Sequence, residues 1–386
     1  MGCGGTRVPE GGEKRLRVHQ IVPRLDAGDA VSSQAMAIHE LFTRWGWESR
    51  IFAYDMDEYG RRFASFDTAY REFAEEEEDL LVFHYALFCD NYRYYRESRN
   101  RKVLIYHNIT PPEFYVGFYP EAVRLCTMGR DLLPQLADCD LALGDSDFNR
   151  RELVQAGFPE EKTGVLPINP PLHKLDEVEE DRDLARWLED GKTNLFYVGR
   201  AVPNKKLEDV IKLFYCYHRA VNARSRLVFA GPLPVNTYYS ALLSLVRRIG
   251  LQDRVFFLGK VSDGALKACY RRSHYYVSMS EHEGFCVPLL ESFHFALPVL
   301  AYAAGAVPET MGGAGVLFTV KDYPLLAELL DRLERDAFLR ERVLAAQRER
   351  LRGFSEESFA LALRGALGKL VGLEQVEEAV AEVGLK

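Results

Sequence analysis

The chain has 386 residues, of which 47% are hydrophobic and 27% charged, a balance that excludes a disordered protein. This length exceeds what one ordinary hydrophobic core contains, so two domains are predicted. Acidic residues outnumber basic ones by 57 to 49 and the formal net charge is −8, which argues against nucleic-acid binding through bulk positive charge. We therefore expect no nucleic-acid partner.

No membrane-spanning segment and no zinc or disulfide framework is predicted. No apolar run approaches the roughly 18 residues that cross a bilayer, and the N-terminus lacks a hydrophobic signal core. The seven cysteines are scattered without a C-x-x-C pair, which is typical of reduced cytoplasmic thiols. Residues 1–15 are predicted to be a flexible leader whose start, MGCGGT, matches the loose myristoylation pattern. We expect a cytoplasmic protein, and the sequence leaves peripheral contact with the inner face of the membrane open.

In the first half, strands alternate with helices. A strand is predicted over 16–22, a helix over 30–46, strands over 49–55, 79–86, 101–109 and 140–146, a helix over 147–156 and a short strand over 164–168. The strands are continuous apolar runs, as expected for parallel strands that are covered on both faces.

The same pattern restarts after an acidic, proline-started stretch at 170–193, which is predicted to be a solvated linker with a helical piece. Further strands are predicted over 194–200, 226–231, 254–260, 274–280, 297–303 and 315–318, with helices from Tyr323 onward. We place the domain limits at 16–175 (first domain), 176–193 (linker), 194–365 (second domain) and 366–386 (a helical segment that could cross back to the first domain). The predicted fold class is α/β, with two Rossmann-like doubly wound sheets facing each other across a cleft. Ligands then bind where strands end.

One strand-to-helix corner, SMSEHEGFCVPLLES at 278–292, combines two carboxylates with an anion site. Pro288 suits the first turn of a helix, and the amides of Gly284 and Phe285 would face the cleft at its N-terminus. Gly284 lets the backbone approach a ligand closely, and Glu291, one turn inside the helix, can reach sugar hydroxyls. Phosphate and hydroxyl recognition side by side indicates a nucleotide sugar. The alternative is that Glu283 and Glu291 are ordinary glutamates favoured by the helix dipole.

A second corner, YVGRAVPNKKLEDVI at 197–211, carries two cations close together. The strand ends at Gly199-Arg200, and Lys205 follows in the loop before the next helix. An arginine and a lysine in one loop can neutralise a diphosphate and stabilise a departing nucleotide. The alternative is a solvated basic loop.

Together these motifs resemble the retaining GT-B glycosyltransferases, the family of α-mannosyl-, α-glucosyl- and related transferases. The pattern E-G-F-x-x-P-x-x-E, preceded about eighty residues earlier by V-G-R-x-x-P-x-K-K, is the basis of the resemblance, and the spacing from Glu283 to Glu291 is its most specific part. FAGP at 229–232, the stretch 255–273 and PVLAYAAGAVPE at 298–309 follow in the same order. The resemblance covers almost the whole second half and implies a GT-B fold.

The resemblance implies roles in the second half. Glu283 would face the hydroxyls of the donor sugar and Glu291 would bind the ribose. Arg200 and Lys205, after Gly199, would hold the diphosphate. The amides of Phe285, Cys286 and Val287 would add to that phosphate site, and the loop at Lys260 and Val261 would receive the base through its backbone. Lys206 stands where the family usually has a glycine, so the sequence leaves open which lysine contacts phosphate.

In the more divergent first half, the resemblance places His107 beside the reacting sugar and Gly28 near the phosphates. The Gly28-Asp29 pair departs from the paired glycines of the family. His84 and His282 are rivals for the role of His107, which could also be a satisfied core histidine. Ser146, Asn149 and Arg150 match a segment that lines the cleft.

The predicted function is metal-independent transfer of a hexose, with retention, from a UDP- or GDP-linked sugar to a hydroxyl of a glycan or lipid-linked acceptor. The first domain would bind the acceptor, and no cofactor is expected. DMD (55–57), DCD (138–140) and DSD (145–147) each spell the metal-binding D-x-D, but chance matches are unsurprising in an acid-rich chain. A nucleotide-sugar epimerase and a non-catalytic sugar-nucleotide-binding subunit remain as alternatives. No G-x-G-x-x-G follows the first strand and no G-x-x-x-x-G-K-[ST] occurs, which disfavours dinucleotide oxidoreductases and P-loop proteins.

Overall fold

The computed structural model describes residues 16–371 and contains two parallel sheets, one in each half. The first has seven strands in the order β3-β2-β1-β4-β5-β6-β7. Its strands are β1 Arg17–Leu25, β2 Glu48–Met56, β3 Ala64–Phe66, β4 Leu80–Tyr85, β5 Arg101–Tyr106, β6 Leu141–Gly144 and β7 Thr163–Val165.

The second sheet has six strands in the order β10-β9-β8-β11-β12-β13. Its strands are β8 Thr193–Val198, β9 Ser225–Ala230, β10 Val255–Phe257, β11 Tyr275–Ser278, β12 Val299–Tyr302 and β13 Val316–Phe318. Every residue of β4 and of β9 is buried, as expected for central parallel strands between helical layers. The predicted pair of Rossmann-like sheets is therefore confirmed.

Helices connect the strands and cover both faces. In the first half they are α1 Ala30–Arg44, α2 Tyr92–Glu97, α3 Pro120–Leu132 and α4 Asp147–Gln155. They continue with α5 Leu172–Glu177, α6 Arg182–Leu188, α7 Leu207–Ala220, α8 Asn236–Arg248, α9 Asp263–Arg272, α10 Val287–His294, α11 Val307–Met311, α12 Tyr323–Arg335, α13 Ala337–Leu351 and α14 Glu356–Val371. Short 3-10 helices lie at Gly60–Arg62, Asp67–Phe73, Pro112–Tyr115, Leu133–Leu136, Glu160–Lys162 and Pro203–Lys205.

The segment predicted to be a solvated linker is instead docked on the second half. The Lys267 ammonium, on α9, donates to the carbonyls of Asp176 and Val178 at 2.7 and 2.9 Å. A side chain at Gly264 would clash with the Glu179 carbonyl, since a Cβ there would lie 2.5 Å from that oxygen. The connection is thus held against α9, and the predicted limit at 175/176 falls inside α5.

The last described helix, α14, returns to the first half. Its buried residues Phe359, Leu363 and Leu367 belong to the same apolar cluster as Val18 of β1 and Phe42 of α1. The predicted limit at 365/366 lies inside this helix, so the segment that crosses back begins at Glu356. The leader at 1–15 and residues 372–386 lie outside the described part of the chain. No helix within that part combines the length and apolar character needed to cross a membrane.

Candidate active site

The corner between β11 and α10 presents free backbone donors at the carboxyl edge of the second sheet. Cys286, the residue before α10, has φ 75° and so lies in the left-handed region. No hydrogen bond joins the amides of Phe285, Cys286 or Val287 to another residue of the described chain. These three predicted phosphate-site amides therefore remain available, at a helix end that favours anions.

Lys205 and Glu283 form an ion pair at this corner. The Lys205 Nζ lies 2.5 Å from Glu283 Oε2, and their side chains are 22% and 7% exposed. Burial acts to lower the pKa of Lys205, but the charge of Glu283, its hydrogen bond and the neighbouring Cys286 and Tyr115 together raise that pKa above its ordinary value. The cation predicted for phosphate and the acid predicted for sugar hydroxyls thus neutralise each other in the ligand-free protein.

Glu291 is partly buried one turn inside α10, where Tyr270 of α9 donates a hydrogen bond of 2.5 Å to Glu291 Oε2. Burial raises the pKa of Glu291, and the bond from Tyr270 offsets only part of that rise. A polar ligand hydroxyl would supply a further donor to this carboxylate, which is consistent with the ribose-binding role that was predicted for it.

Arg200 and Lys206 have different surroundings, which bears on the choice of phosphate-binding lysine. Arg200 is exposed at the end of β8, and its guanidinium makes no hydrogen bond or ion pair with another described residue. Lys206 has φ 52°, and its Nζ lies 3.2 Å from Glu281 Oε2 and 5.8 Å from the ring of Phe114. The chain turns left-handed where the family usually has glycine, and this directs Lys206 away from Glu283. Lys205 is therefore the better candidate for phosphate.

Gly199 and Val261 occupy neighbouring turns at the same edge. A side chain at Gly231 would clash with Gly199, because a Cβ there would lie 2.2 Å from the Gly199 carbonyl oxygen. The Gly231 amide donates to the Gly259 carbonyl at 2.8 Å, which brings the turn before Val261 alongside. These contacts place the predicted base-binding loop next to the predicted phosphate loop.

His107 lies at the end of β5, but its imidazole does not face the open cleft in this structure. Its side chain is 2% exposed, with Nδ1 3.0 Å from Asp145 Oδ2 and Nε2 2.9 Å from His84 Nδ1. Both ring nitrogens therefore have protein partners in this structure, and a contact between the His107 ring and a donor sugar stays a prediction. Its rival His84 is also buried, at 1% exposure.

Gly284 approaches the opposite half of the protein. A Cβ there would lie 2.7 Å from Asn108 Cβ and 3.0 Å from the His107 carbonyl oxygen. The Gly284 carbonyl accepts from Ser146 Oγ at 2.8 Å, and His282 Nε2 lies 2.5 Å from Asn108 Oδ1. Gly284 was predicted to allow close contact with a ligand. In this structure it allows close contact between the two halves.

A loop of the first half, residues 110–119, covers this corner with aromatic side chains. The Phe114 ring packs 6.1 Å from that of His282, and the Phe118 ring 5.5 Å from that of Tyr238. Burial raises the pKa of the Tyr115 hydroxyl, which the nearby charges of Arg200 and Lys205 partly oppose. No function was predicted for this loop, because aromatic residues alone do not distinguish a core from a lid.

The Gly28 loop is held by the carboxylates around it in the chain. Asp29 accepts hydrogen bonds from the amide and hydroxyl of Ser32 and so caps α1. Asp57 accepts from the Ala27 amide, and the Asp57 amide donates to Asp26, which is paired with Arg24. Gly28 itself has φ 78° and open space beside it. Its donor-binding role stays a prediction.

The three D-x-D stretches are engaged with protein partners. Asp57 binds backbone amides, Asp140 accepts from the Lys102 amide at 2.7 Å, and Asp145 binds His107. Within residues 16–371, no group of three or more His, Cys, Asp or Glu side chains is placed to hold a metal ion.

Two residues that the sequence motifs did not single out also join the halves at this site. Asn108 has φ 73° and donates to Asn149 Oδ1 and Glu152 Oε2 at 3.0 and 2.8 Å. Glu309 of α11 accepts from the Asp147 amide at the start of α4, with both carboxylate oxygens at 2.8 Å. Asparagine adopts the left-handed region more readily than most residues, and this preference is the one sequence feature that could have pointed to a special turn at Asn108. Glu309 lies in the PVLAYAAGAVPE stretch, but no signal pointed to its partner.

Residues 179–350 match the family model described as Glycosyl transferases group 1. The O-antigen chain mannosyltransferase B of Escherichia coli is 25% identical over 245 residues, which is 62% of this chain and 62% of that protein. The N-acetyl-alpha-D-glucosaminyl L-malate synthase of Bacillus anthracis is 30% identical over 147 residues, 38% of this chain and 37% of that protein. The matched regions thus span less than two thirds of these relatives' own length.

Solved structures share the fold across nearly the whole chain. Anabaena HepE in complex with UDP and glucose has a TM-score of 0.70 and 16% identity, covering 92% of this chain and 100% of that one. WaaG, a glycosyltransferase involved in lipopolysaccharide biosynthesis, has a TM-score of 0.67 and 15% identity, covering 92% and 100%. Likeness at these identities shows the fold alone, and it confirms the predicted GT-B arrangement.

Proposed function

We propose that this chain, which belongs to the group 1 glycosyltransferase family, transfers a hexose from a UDP- or GDP-linked sugar to a hydroxyl of a glycan or lipid-linked acceptor. The observation that carries the proposal is the Lys205–Glu283 pair next to the unbonded amides of 285–287, with Arg200 near enough to act, like Lys205, on the Tyr115 hydroxyl. Cations, amides and a carboxylate at one corner suit a diphosphate that is joined to a sugar.

Donor binding would exchange the partners of the Lys205–Glu283 pair. The diphosphate would draw Lys205 to its oxygens, together with Arg200 and the amides of α10. Glu283 would then be free to accept hydrogen bonds from sugar hydroxyls. The same cations and amides would stabilise the charge that develops on the departing diphosphate, and preorganised stabilisation of this kind usually lowers an enzymatic barrier more than any other single effect.

We propose that transfer proceeds with retention and without a metal ion. Support for metal independence comes from the chain itself, because its D-x-D carboxylates are bound to protein groups and two cations already face the phosphate position. A donor phosphate oxygen would take the acceptor proton while the acceptor attacks from the face that the diphosphate leaves. No side chain is required as a covalent nucleophile.

The acceptor would bind to the first half, and the loop at 110–119 would have to move to admit it. Curated relatives act on O-antigen chains and on lipopolysaccharide core, as their names state. By analogy, we propose an acceptor in polysaccharide or glycolipid assembly, reached in the cytoplasm and at the inner face of the membrane.

The test is a thermal-shift screen of uridine, guanosine and adenosine diphosphate sugars in EDTA, followed by product analysis with glycan acceptors. We expect one base to stabilise the protein, and Lys205→Ala and Arg200→Ala to lower turnover ~10²-fold or more. Lys206→Gly is the matched control, because it removes the neighbouring cation and keeps the left-handed turn; it should retain most activity. Near-wild-type activity of the first two variants would refute the phosphate assignment. Conversion of donor alone into a second sugar nucleotide would indicate an epimerase, and absence of nucleotide binding would indicate a non-catalytic subunit.

A further inference from the structure

Four polar side chains from neighbouring strands form a continuous buried row behind the site. Gln20 of β1, His84 of β4, His107 after β5 and Asp145 after β6 are hydrogen-bonded in that order, at 2.9, 2.9 and 3.0 Å. The rings of His84 and His107 are parallel to within 5°. Gln20 is 0% exposed, and His84 and Asp145 are each 1% exposed, so water does not compete for these bonds.

Gln20 sets the direction of every hydrogen bond in the row. Its amide nitrogen donates to the Ala35 carbonyl at 3.0 Å, so its amide oxygen is the atom that faces His84 Nε2. An amide oxygen only accepts, and His84 Nε2 must therefore carry a proton. Burial, followed by the neighbouring His107, lowers the pKa of His84 well below its ordinary value. His84 is thus a neutral Nε2–H tautomer, whose bare Nδ1 accepts from His107 Nε2–H.

The far end of the row then holds one shared proton. With Nε2 of His107 protonated, the contact between His107 Nδ1 and Asp145 Oδ2 needs a single further proton, on either atom. The other carboxylate oxygen, Asp145 Oδ1, is buried without a hydrogen-bond partner in the described chain. Either position of the proton leaves the His107–Asp145 pair with no net charge, which lowers the cost of its burial.

The row ends at the turn that contacts the donor corner. His107 is followed by Asn108, which holds φ 73° and bonds to His282 across the cleft. A Cβ added at Gly284 would lie nearest to Asn108 Cβ and the His107 carbonyl oxygen, so there is no spare room at this contact. A shift of residue His107 after loss of its ring contacts would therefore move the backbone that packs against Gly284.

We propose that His84 and Gln20 are positioning residues for the transfer reaction: Gln20 fixes the tautomer of His84, and His84 holds His107 and the His107–Asn108 turn against Gly284. The effect on catalysis rests on the proposed function, whereas the arrangement of protons in the row does not. A displacement of reacting groups by about 1 Å lowers turnover on the order of a hundredfold, so the row matters although it touches no substrate.

The first test is nitrogen NMR on the full-length protein labelled with ¹⁵N-histidine, with His84→Asn and His107→Gln used for assignment. We expect His84 protonated at Nε2 only and His107 protonated at Nε2. A His84 ring protonated at Nδ1 would overturn the proposal, whatever the activity of the protein. This measurement decides the proton arrangement even where no transfer is detected, so its failure is distinct from failure of the proposed function.

The second test compares His84→Leu with His84→Asn in turnover and in nucleoside diphosphate affinity. The leucine removes the acceptor for His107, and we expect kcat to fall on the order of ten- to a hundredfold with the dissociation constant for UDP or GDP unchanged. The asparagine oxygen replaces Nδ1 as the acceptor and should restore most of the turnover. Equal kcat in both variants would overturn the proposal, as would a loss in His84→Leu that appears only in nucleotide affinity. If His84→Leu fails to fold, His84→Asn and the NMR spectrum test the proposal instead. A kcat of His84→Asn at or below one hundredth of the wild-type value would then contradict the proposal.

Discussion

Removing one member of the Lys205–Glu283 pair should destabilise the protein more than removing both. Lys205→Met leaves the Glu283 carboxylate, 7% exposed, without its cation. Breaking a buried pair costs about 3–5 kcal/mol, and we expect about 3 kcal/mol here because the 22% exposure of Lys205 admits some water. The double variant Lys205→Met/Glu283→Gln carries no unpaired charge and should lie within about 1 kcal/mol of the wild type.

Thermal unfolding of the wild type, Lys205→Met, Glu283→Gln and the double variant measures this coupling. A loss of about 3 kcal/mol corresponds to a fall in Tm of roughly 6–12 °C for a domain of this size. Lys206→Met is the matched control, because its pair with Glu281 joins two partly exposed groups at 3.2 Å and contributes at most about 1 kcal/mol. Additive losses in the two single variants would refute the interpretation of this contact as a coupled pair.

The double variant also separates folding from binding. UDP or GDP at 100 times its Kd should stabilise the wild type by about 2.7 kcal/mol. The double variant should keep its fold and lose most of this ligand-induced shift, because Arg200 and the α10 amides alone face the diphosphate. An undiminished shift in the double variant would show that the ligand binds elsewhere.

Three further predictions concern His19, Glu291 and Glu309. His19 is fully buried with neither ring nitrogen bonded in the described chain, and burial lowers its pKa to about 4. Because that pKa lies below the value in the unfolded chain, the free energy of unfolding of the wild type should fall by about 3 kcal/mol as the pH falls from 6.5 to 4. Urea unfolding of His19→Phe over the same pH range should not show this decrease. Burial raises the pKa of Glu291, so the charged carboxylate destabilises the fold above pH 4.5. Glu291→Gln should therefore have a Tm at pH 8 that equals or exceeds that of the wild type. Calorimetry should show that this variant binds nucleoside diphosphates about tenfold more weakly. Glu309→Gln should weaken the hydrogen bonds that the Glu309 carboxylate accepts from the start of α4 by about 1–2 kcal/mol. Because these bonds join the two halves, small-angle scattering of the variant without ligand should show a larger radius of gyration than the wild type.

Each of these predictions has an outcome that contradicts it. The exposed His173 provides the control, since His173→Gln should lose stability with falling pH as the wild type does. If His19→Phe also loses the same free energy of unfolding between pH 6.5 and 4, the buried His19 is not the cause of the acid sensitivity. A lower Tm of Glu291→Gln with unchanged nucleotide affinity would make Glu291 a purely structural residue. Unchanged scattering of Glu309→Gln would mean that other contacts hold the halves together.

Much of the fold is predictable because its strands are buried on both faces. A strand such as 79–86 can be predicted from its own apolar residues, without knowledge of the strands beside it. The corresponding strand, β4, spans Leu80–Tyr85. The three-residue β3, at the edge of the first sheet, has two exposed residues and was missed. The stretch at 170–193 is largely exposed, but composition did not show that its carbonyls at Asp176 and Val178 bind Lys267.

The site was less predictable, because spacing fixes which corner a residue occupies but not what its side chain faces. Glu283 and Lys205 meet at the predicted corner, since strand ends define that edge of the sheet, and a phosphate contact of Arg200 stays a prediction. The ring of His107 is bonded to His84 and Asp145, which lie 23 residues before and 38 residues after it in the chain. No local pattern reports contacts between residues so far apart.

Most of the strained backbone positions lie where the two halves of the protein meet. Among residues 16–371, four non-glycine residues have positive φ, and three of them, Asn108, Lys206 and Cys286, lie at the candidate site. Such conformations cost on the order of 1 kcal/mol or more each and persist only where surrounding contacts hold them. Asn108 is held by His282 from the opposite half, and Lys206 by Phe114 from the opposite half. Contact between the two halves therefore supports the turns at Asn108 and Lys206.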